Sequence, residues 1–278
     1  MQAESHSPTW SQDASSGWAR SVDYRERMLE DVGRELLESA HLCEGQRVAE
    51  IGSGAGALAR MASLLVGETG LIVGVDVSSE LNAMASARAA GMTNLRFVTA
   101  DAQTVELPDC PFDCVLSRFG VMFFADPEVA LVHLHSLLRS GGGLHIAVWD
   151  SIELNPWADV VIGVCRRHLV LPPRRAVPTG AFSLSDPAQL RQMLDCAGFR
   201  HTRFRSWRGA VDVGQPGQAL TDVALALLPP GLVTARYQEL AVDKQRRLIE
   251  EIAAELACFE SPQGVRMPAA AYIVSAVA

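Results

Sequence analysis

The residues best suited to chemistry stand at three places in the first half of the chain. Glu50 lies near the end of an apolar run, Val48-Ala49-Glu50-Ile51, and Gly52, Gly54 and Gly56 follow at every second position, with Ser53 between the first two. Asp76 closes a second apolar run, Leu71 to Val75, and Asp101 follows a third, Leu95 to Ala100. Glycine lets a turn pass close to a ligand and adopt positive φ. A helix N-terminus beyond such a turn offers unpaired N–H groups to an electron-rich ligand. A carboxylate is a good acceptor for a diol or an amino group. Any one of these acids could be a helix cap or a solvated loop residue, but three in sequence at the ends of apolar runs form a set.

The elements that would position the set are legible from periodicity. A helix over residues 21–42, capped by Ser21, precedes a strand from Gln46 to Ile51. The helix after the glycine turn ends near Gly67. Leu71–Asp76 reads as a buried parallel strand, and Ser78 caps a helix from Ser79 to Ala90. Strands follow at Leu95–Ala100 and Phe112–Ser117, then a helix opened by Asp126-Pro127 and running to about Leu138. Ser140-Gly141-Gly142-Gly143 ends that helix and Leu144–Trp149 is the fifth strand. Such alternation predicts a doubly wound parallel sheet, with ligands at the carboxyl ends of its strands. That rule selects Glu50, Asp76, Asp101, Ser117, Arg118, Trp149 and Asp150. Further on, helices are expected over Asn155–His168, from Pro187 to Ala197, Gln218–Leu228 and Thr234–Phe259, with strands at Phe199–Val213 and Ala270–Ala278. Pro172, Pro173 and Pro178 mark a loop that could border a pocket.

Composition narrows the partners. The chain has 278 residues, nearly half of them apolar, and a net charge of −8. Lys244 is its only lysine, and the arginines are scattered apart from pairs such as Arg174-Arg175. A nucleic-acid footprint needs a clustered basic face, so no nucleic-acid partner is expected. No stretch resembles a signal peptide or a membrane span, and none of the six cysteines forms C-x-x-C. Free thiols in a reducing cytoplasm and no metal site are the corresponding expectations.

Gly52-x-Gly54-x-x-Ala57 fits a dinucleotide fingerprint, while Glu50 with Gly52-x-Gly54-x-Gly56 fits a turn that holds S-adenosylmethionine (SAM). The ordered set decides between them. Val48 to Gly56, Gly74-Val75-Asp76-Val77-Ser78, Ala100-Asp101-Ala102, and Ser117-Arg118-Phe119-Gly120 through Asp126-Pro127 to Gly142 resemble the class I SAM-dependent methyltransferases, in the branch of ubiquinone/menaquinone C-methyltransferases and bacterial small-molecule methyltransferases. That family more often has Thr where Ala55 stands. The resemblance implies an α/β, Rossmann-like, doubly wound seven-stranded sheet with an N-terminal helical lid and a C-terminal helical insertion. It divides the chain into a lid at 1–44, a SAM-binding core at 45–150 and, at 151–278, cap helices with the strands that complete the sheet. It implies that Glu50, Gly52, Ser53, Gly54 and Gly56 hold the methionine part of SAM. Asp76 would bind the ribose hydroxyls, Val77 would pack on the adenine, and Asp101 and Ala102 would reach the adenine edge. Ser117 and Arg118 would sit beside the methyl group.

The acceptor side is read from position alone. Trp10, Trp18 and Tyr24 are candidates for the lid, Trp149 and Trp157 for the acceptor wall, and His168 for a general base. Leucines in the presumed cap, Leu225 to Leu232, point to a small apolar or aromatic acceptor, with secondary metabolism as its setting. A SAM-fold protein without methylating activity, or a scaffold, and an NAD(P)-dependent oxidoreductase are the alternatives. The sequence leaves open the atom methylated and the oligomeric state.

Overall fold

The computed structural model describes residues 16–19, 21–173 and 179–278. Trp10, Arg174-Arg175 and Pro178 lie outside the described residues. After a helical stretch at residues 16–19 come α1 (Val22–Met28) and α2 (Glu30–Ala40). The single helix expected over 21–42 is thus broken at Leu29. Ser21 makes no capping bond; its hydroxyl donates to the Gly17 carbonyl and accepts from Arg25 Nε. Then come β1 (Arg47–Ile51), α3 (Ala57–Val66), β2 (Leu71–Asp76), α4 (Ser79–Arg88), β3 (Leu95–Thr99) and β4 (Phe112–Arg118). Ser78 caps α4 by accepting from the Leu81 amide at 3.2 Å, and Asp126 caps α5 (Pro127–Ser136) by accepting from Val129 N.

The fifth strand differs from expectation. β5 runs over Leu138–Trp149, because Leu138 pairs with Phe112 and the glycines bulge before Gly143 rejoins the ladder opposite Cys114. α6 (Pro156–His168), α7 (Pro187–Cys196), β6 (Arg200–Gly214), α8 (Leu220–Leu227), α9 (Leu232–Gln238), α10 (Val242–Leu256), β7 (Glu260–Ser261) and β8 (Gly264–Val277) complete the chain. The helix expected over 234–259 is therefore two helices and a short 3-10 turn, and the last strand is 14 residues long rather than a short terminal segment.

The strands form one sheet in the order β3-β2-β1-β4-β5-β8-β6, with the two-residue β7 paired to β8. The first five are parallel, and β8 runs antiparallel between β5 and β6. Val48, Ala49, Ile72, Val73, Val115 and Leu116 are fully buried, as two-sided cover of a parallel sheet requires. Strand order reverses between β1 and β4, which opens a crevice at their carboxyl ends. The register brings Glu50 beside Gly74 on one side and Leu116 on the other. Strand ends carrying Glu50, Asp76 and Arg118 therefore lie at one edge of the sheet.

Candidate active site

Two glycines let the strand ends converge. A Cβ on Gly52 (φ +70°) would stand 2.8 Å from the Gly120 Cα, and one on Gly120 would stand 2.7 Å from the Ile51 carbonyl oxygen. Ser117 ties the same junction, donating to the Ile51 carbonyl at 2.8 Å and accepting from the Val121 amide at 3.3 Å. Next to this junction lies a cleft of about 1060 Å³, its open mouth included. That is enough for a nucleoside-sized ligand and a second small molecule.

The cleft is lined by Glu50, Gly52, Ser53, Gly54, Asp76, Val77, Asp101, Ala102 and Arg118 of the residues singled out in the sequence, and by Trp18 from the N-terminal segment. Gly56 and Ser117 are not among the lining residues. Gly56 caps α3 at φ +79°, and a Cβ there would meet the Phe97 ring at 2.6 Å, so its glycine serves packing. Ser117 is fully buried and its hydroxyl is used in the strand junction. The expectation that these two touch the ligand is corrected on those grounds.

The carboxylates are held differently. Asp76 accepts from Gly54 N at 2.8 Å through Oδ2 and from Ser78 N at 2.9 Å through Oδ1. It thereby joins the β1 and β2 turns and keeps a second lone-pair position on each oxygen. Burial raises its pKa, and the backbone N–H groups of Ser78 and Gly54 offset part of that. Asp101 is oriented by Gln103, whose amide nitrogen reaches both carboxylate oxygens at 3.1 Å and whose backbone N–H donates to Oδ1. Glu50 is only 2% exposed, and its Oε2 is buried without a hydrogen-bond partner. Burial pushes the Glu50 carboxyl up to about 8, against the opposing pull of the Arg118 guanidinium. Ser53 Oγ, also at the cleft, is a second buried polar atom without a partner. An orphaned carboxylate oxygen beside a glycine turn of bare backbone suits a ligand that brings an ammonium group. A Cβ on Gly54 would meet nothing within 4 Å, so this turn faces open space. The donor set fits SAM.

The other wall is aromatic. Phe119, Phe123 and Phe124 line the cleft with Leu29, Arg25 and Glu26. Phe119 sits at φ +65°, a costly conformation for a bulky side chain. Its ring is stacked on Trp149 at 4.0 Å and 13°, and Trp149 in turn packs on Trp157 at 5.1 Å. Trp149 and Trp157 are thus behind the lining, not in it; Trp157 Nε1 donates to Asn155 Oδ1. Tyr24 is also outside the lining, with its buried hydroxyl unpartnered and its phenol pKa raised by burial. Trp18 lines the cleft, and Arg25 lies over its ring at 4.5 Å.

His168 is elsewhere. At the end of α6 its Nε2 meets Glu251 Oε2 of α10 at 2.5 Å, in a partly exposed cluster with Arg167. It does not line the cleft, so its proposed place as a base there is corrected. Asp150, another strand-end residue, is taken by Arg208 at 2.6 Å. The residues missed in the sequence, Arg25, Glu26, Leu29, Gln103 and the three phenylalanines, carry no local signal except that the phenylalanines and Gly120 stand in the segment that resembles the family. Among the described residues no group of His, Cys, Asp and Glu is arranged to hold a metal ion, and no helix is long and apolar enough to cross a membrane.

Comparison with known proteins meets this geometry on the same stretch. A family model described as a methyltransferase domain matches residues 48–142. The ubiquinone/menaquinone biosynthesis C-methyltransferase UbiE of Erwinia tasmaniensis is 26% identical over 191 residues, 64% of this chain and 76% of that one. UbiE of Escherichia coli O1:K1 is 29% identical over 126 residues, which span 44% of this chain and half of the relative. In fold, the YcgJ protein of Bacillus subtilis matches with a TM-score of 0.59 at 15% identity, covering 89% of this chain and 98% of that one. The matched family segment begins in β1 and ends in β5, so it encloses the strand ends that carry Glu50, Asp76 and Arg118. The family match over residues 48–142, the UbiE relatives and the shared fold together support a class I SAM-dependent methyltransferase.

Proposed function

We propose that the cleft binds SAM through the residues that line its β1, β2 and β3 edges and transfers the methyl group to a small acceptor at its aromatic wall. The observation that carries this reading is Glu50: a buried carboxylate oxygen with no partner, facing a cleft beside bare glycine backbone. In this reading Glu50 accepts from the ammonium of the methionine part, and the Gly52–Gly54 backbone passes along it. Asp76 accepts from the ribose hydroxyls with the lone pairs that Gly54 and Ser78 leave free. Val77, Ala102 and Leu81 flank the adenine, and Asp101 accepts at its edge.

SAM supplies a methyl carbon made electrophilic by positively charged sulfur. The chain's own work is alignment of the acceptor and exclusion of water. Trp18, Leu29, Phe119, Phe123 and Phe124 form the apolar surface for this, which supports an apolar or aromatic acceptor. The relatives' place in ubiquinone and menaquinone biosynthesis supports testing carbon as well as oxygen and nitrogen acceptors. The N-terminal segment through α2 acts as the lid, and the elements after β5 complete the sheet and carry the cap. The net charge of −8 disfavours nucleic acid as acceptor, and six free cysteines favour a reducing compartment such as the cytoplasm.

Calorimetry tests the cofactor. S-adenosylhomocysteine is expected to bind and NAD to give no heat. Binding of NAD with no response to S-adenosylhomocysteine would sink the reading. Incubation of the SAM-loaded enzyme with fractionated metabolites, scored by S-adenosylhomocysteine release, then finds the acceptor.

A further inference from the structure

Arg118 ends β4, yet its side chain is directed at the N-terminal helices. Its Nη1 donates to the Leu29 carbonyl at 3.2 Å. Leu29 is the break between α1 and α2, and its carbonyl also accepts the first bond of α2, from Gly33 N at 3.0 Å. The guanidinium has room because position 33 is glycine. A Cβ there would stand 3.0 Å from Arg118 Nη1 and 3.4 Å from its Cδ. Gly33 lies inside a helix without positive φ, where glycine costs about 1 kcal/mol relative to alanine, so passage of the arginine is the physical reason for it.

The charges around this guanidinium come from three elements: Glu50 on β1, Glu26 on α1 and Glu30 on α2. Glu50 itself faces Arg118, Asp76 of β2 and Glu26. Trp18, Arg25, Glu26 and Leu29, which form the outer wall of the cleft, all belong to the segment that Arg118 ties down. One side chain therefore touches the backbone that closes the cleft and faces the carboxylate at its floor.

We propose that Arg118 is a positioning residue that latches the N-terminal helices onto the end of β4 and sets its charge toward Glu50, so that wall and floor of the SAM cleft are assembled together. This rests on the reading of the cleft as the SAM site. It assigns Arg118 a role through Glu50 and Leu29 rather than through the methyl group. Arg118 opposes the burial that favours the protonated Glu50 carboxyl, so the ammonium of the ligand meets a group that gives up its proton more readily than burial alone would allow.

The test compares the wild type with Arg118→Met, Arg118→Lys and Gly33→Ala. One arm is calorimetry with S-adenosylhomocysteine as a function of pH; the other is amide hydrogen exchange across residues 21–33 without ligand. In the wild type, affinity is expected to rise with pH toward the Glu50 value of about 8. Arg118→Met is expected to weaken binding about tenfold at neutral pH, move that rise to higher pH and speed exchange in α1. Arg118→Lys restores the pH profile, which a purely structural loss would not allow. Gly33→Ala, a substitution that ordinarily steadies a helix, is expected to speed exchange in α1 instead. Arg118→Met with affinity, pH profile and exchange all at wild-type values overturns the latch. A wild type that does not bind S-adenosylhomocysteine sinks the cofactor reading, while the exchange arm, which needs no cofactor, still decides the contact with Leu29.

Discussion

Two glutamates in this molecule have opposite surroundings. Glu50, at the end of β1, is buried, keeps one oxygen without a partner, and has its carboxyl raised to about 8 by burial. Glu251, on α10, is partly exposed, with His168 on Oε2 and Arg167 on Oε1. Those hydrogen bonds hold its carboxyl below the usual range. Glu251 is complete as it stands, and nothing further is needed to satisfy it. Glu50 is not, and a buried polar atom left without a partner costs about 1–3 kcal/mol. The contrast separates structural charge from a binding site. The expectation for His168 erred because the sequence shows a titratable residue but not the carboxylate, distant in the chain, that occupies it.

The comparison can be broken at the turn first. Gly52→Ala puts a Cβ 2.8 Å from Gly120 at φ +70°, so both the fold of the junction and the cleft should suffer. A loss of roughly 3 kcal/mol in denaturant unfolding, with no detectable S-adenosylhomocysteine binding, is expected. Unchanged stability would remove the close-approach argument. Next is Glu50→Gln, which keeps shape and removes charge. It should weaken S-adenosylhomocysteine by about 100-fold in calorimetry, since a charge-assisted bond is lost. An unchanged Kd would put the ammonium elsewhere.

A further effect follows from pH. The Glu50 carboxyl is raised in the folded protein, so between the unfolded carboxylate range and about 8 the folded state holds a proton that the unfolded state has released. Its contribution to stability is therefore full at low pH and lost as pH rises through about 8, with a slope of up to about 1.4 kcal/mol per pH unit. Unfolding of the ligand-free protein between about pH 5 and pH 9 should show this decline. Glu50→Gln should flatten it, and an equal decline in the variant would assign it to other groups. The smallest effect is expected at the completed pair. His168→Ala should cost no more than about 1 kcal/mol, as exposed ion pairs do, and leave S-adenosylhomocysteine affinity unchanged. A tenfold fall in affinity would tie the cap to the cleft after all.

Much of the cofactor half was legible because its signals are local. Glu50 and Asp76 lie in apolar runs that could only be buried strands, Ser78 and Asp126 sit at cap positions, and the glycines mark a turn. Each of these depends on a few neighbours in the chain. The break at Leu29 was not legible, because α1 and α2 are both helical and no glycine or proline separates them. Nor was the length of β8, whose pairing with β5 and β6 extends well before the apolar run that marks its end. The glycines after Leu138 read as a stop, but a sheet neighbour absorbed them as a bulge. Ser117 and Gly56 stand at the right strand end and turn, yet the Ile51 carbonyl takes the Ser117 hydroxyl and the Phe97 ring fills the space beside Gly56.

The sequence by itself determined the alternation of strands and helices and the acids at strand ends, while the class of cofactor came from the resemblance of its ordered motifs to a family. It could do so because burial of apolar runs and turn chemistry act over short stretches. Only the tertiary structure decided which of the chosen residues face the cleft. Glu50 is left with a free oxygen, Ser117 is consumed by a neighbouring strand, Arg118 turns to the helix break at Leu29, and His168 is paired with Glu251. The reason is physical: a polar group's role depends on whether another group has already satisfied it, and that partner is set by the fold rather than by the residue's neighbours in the chain.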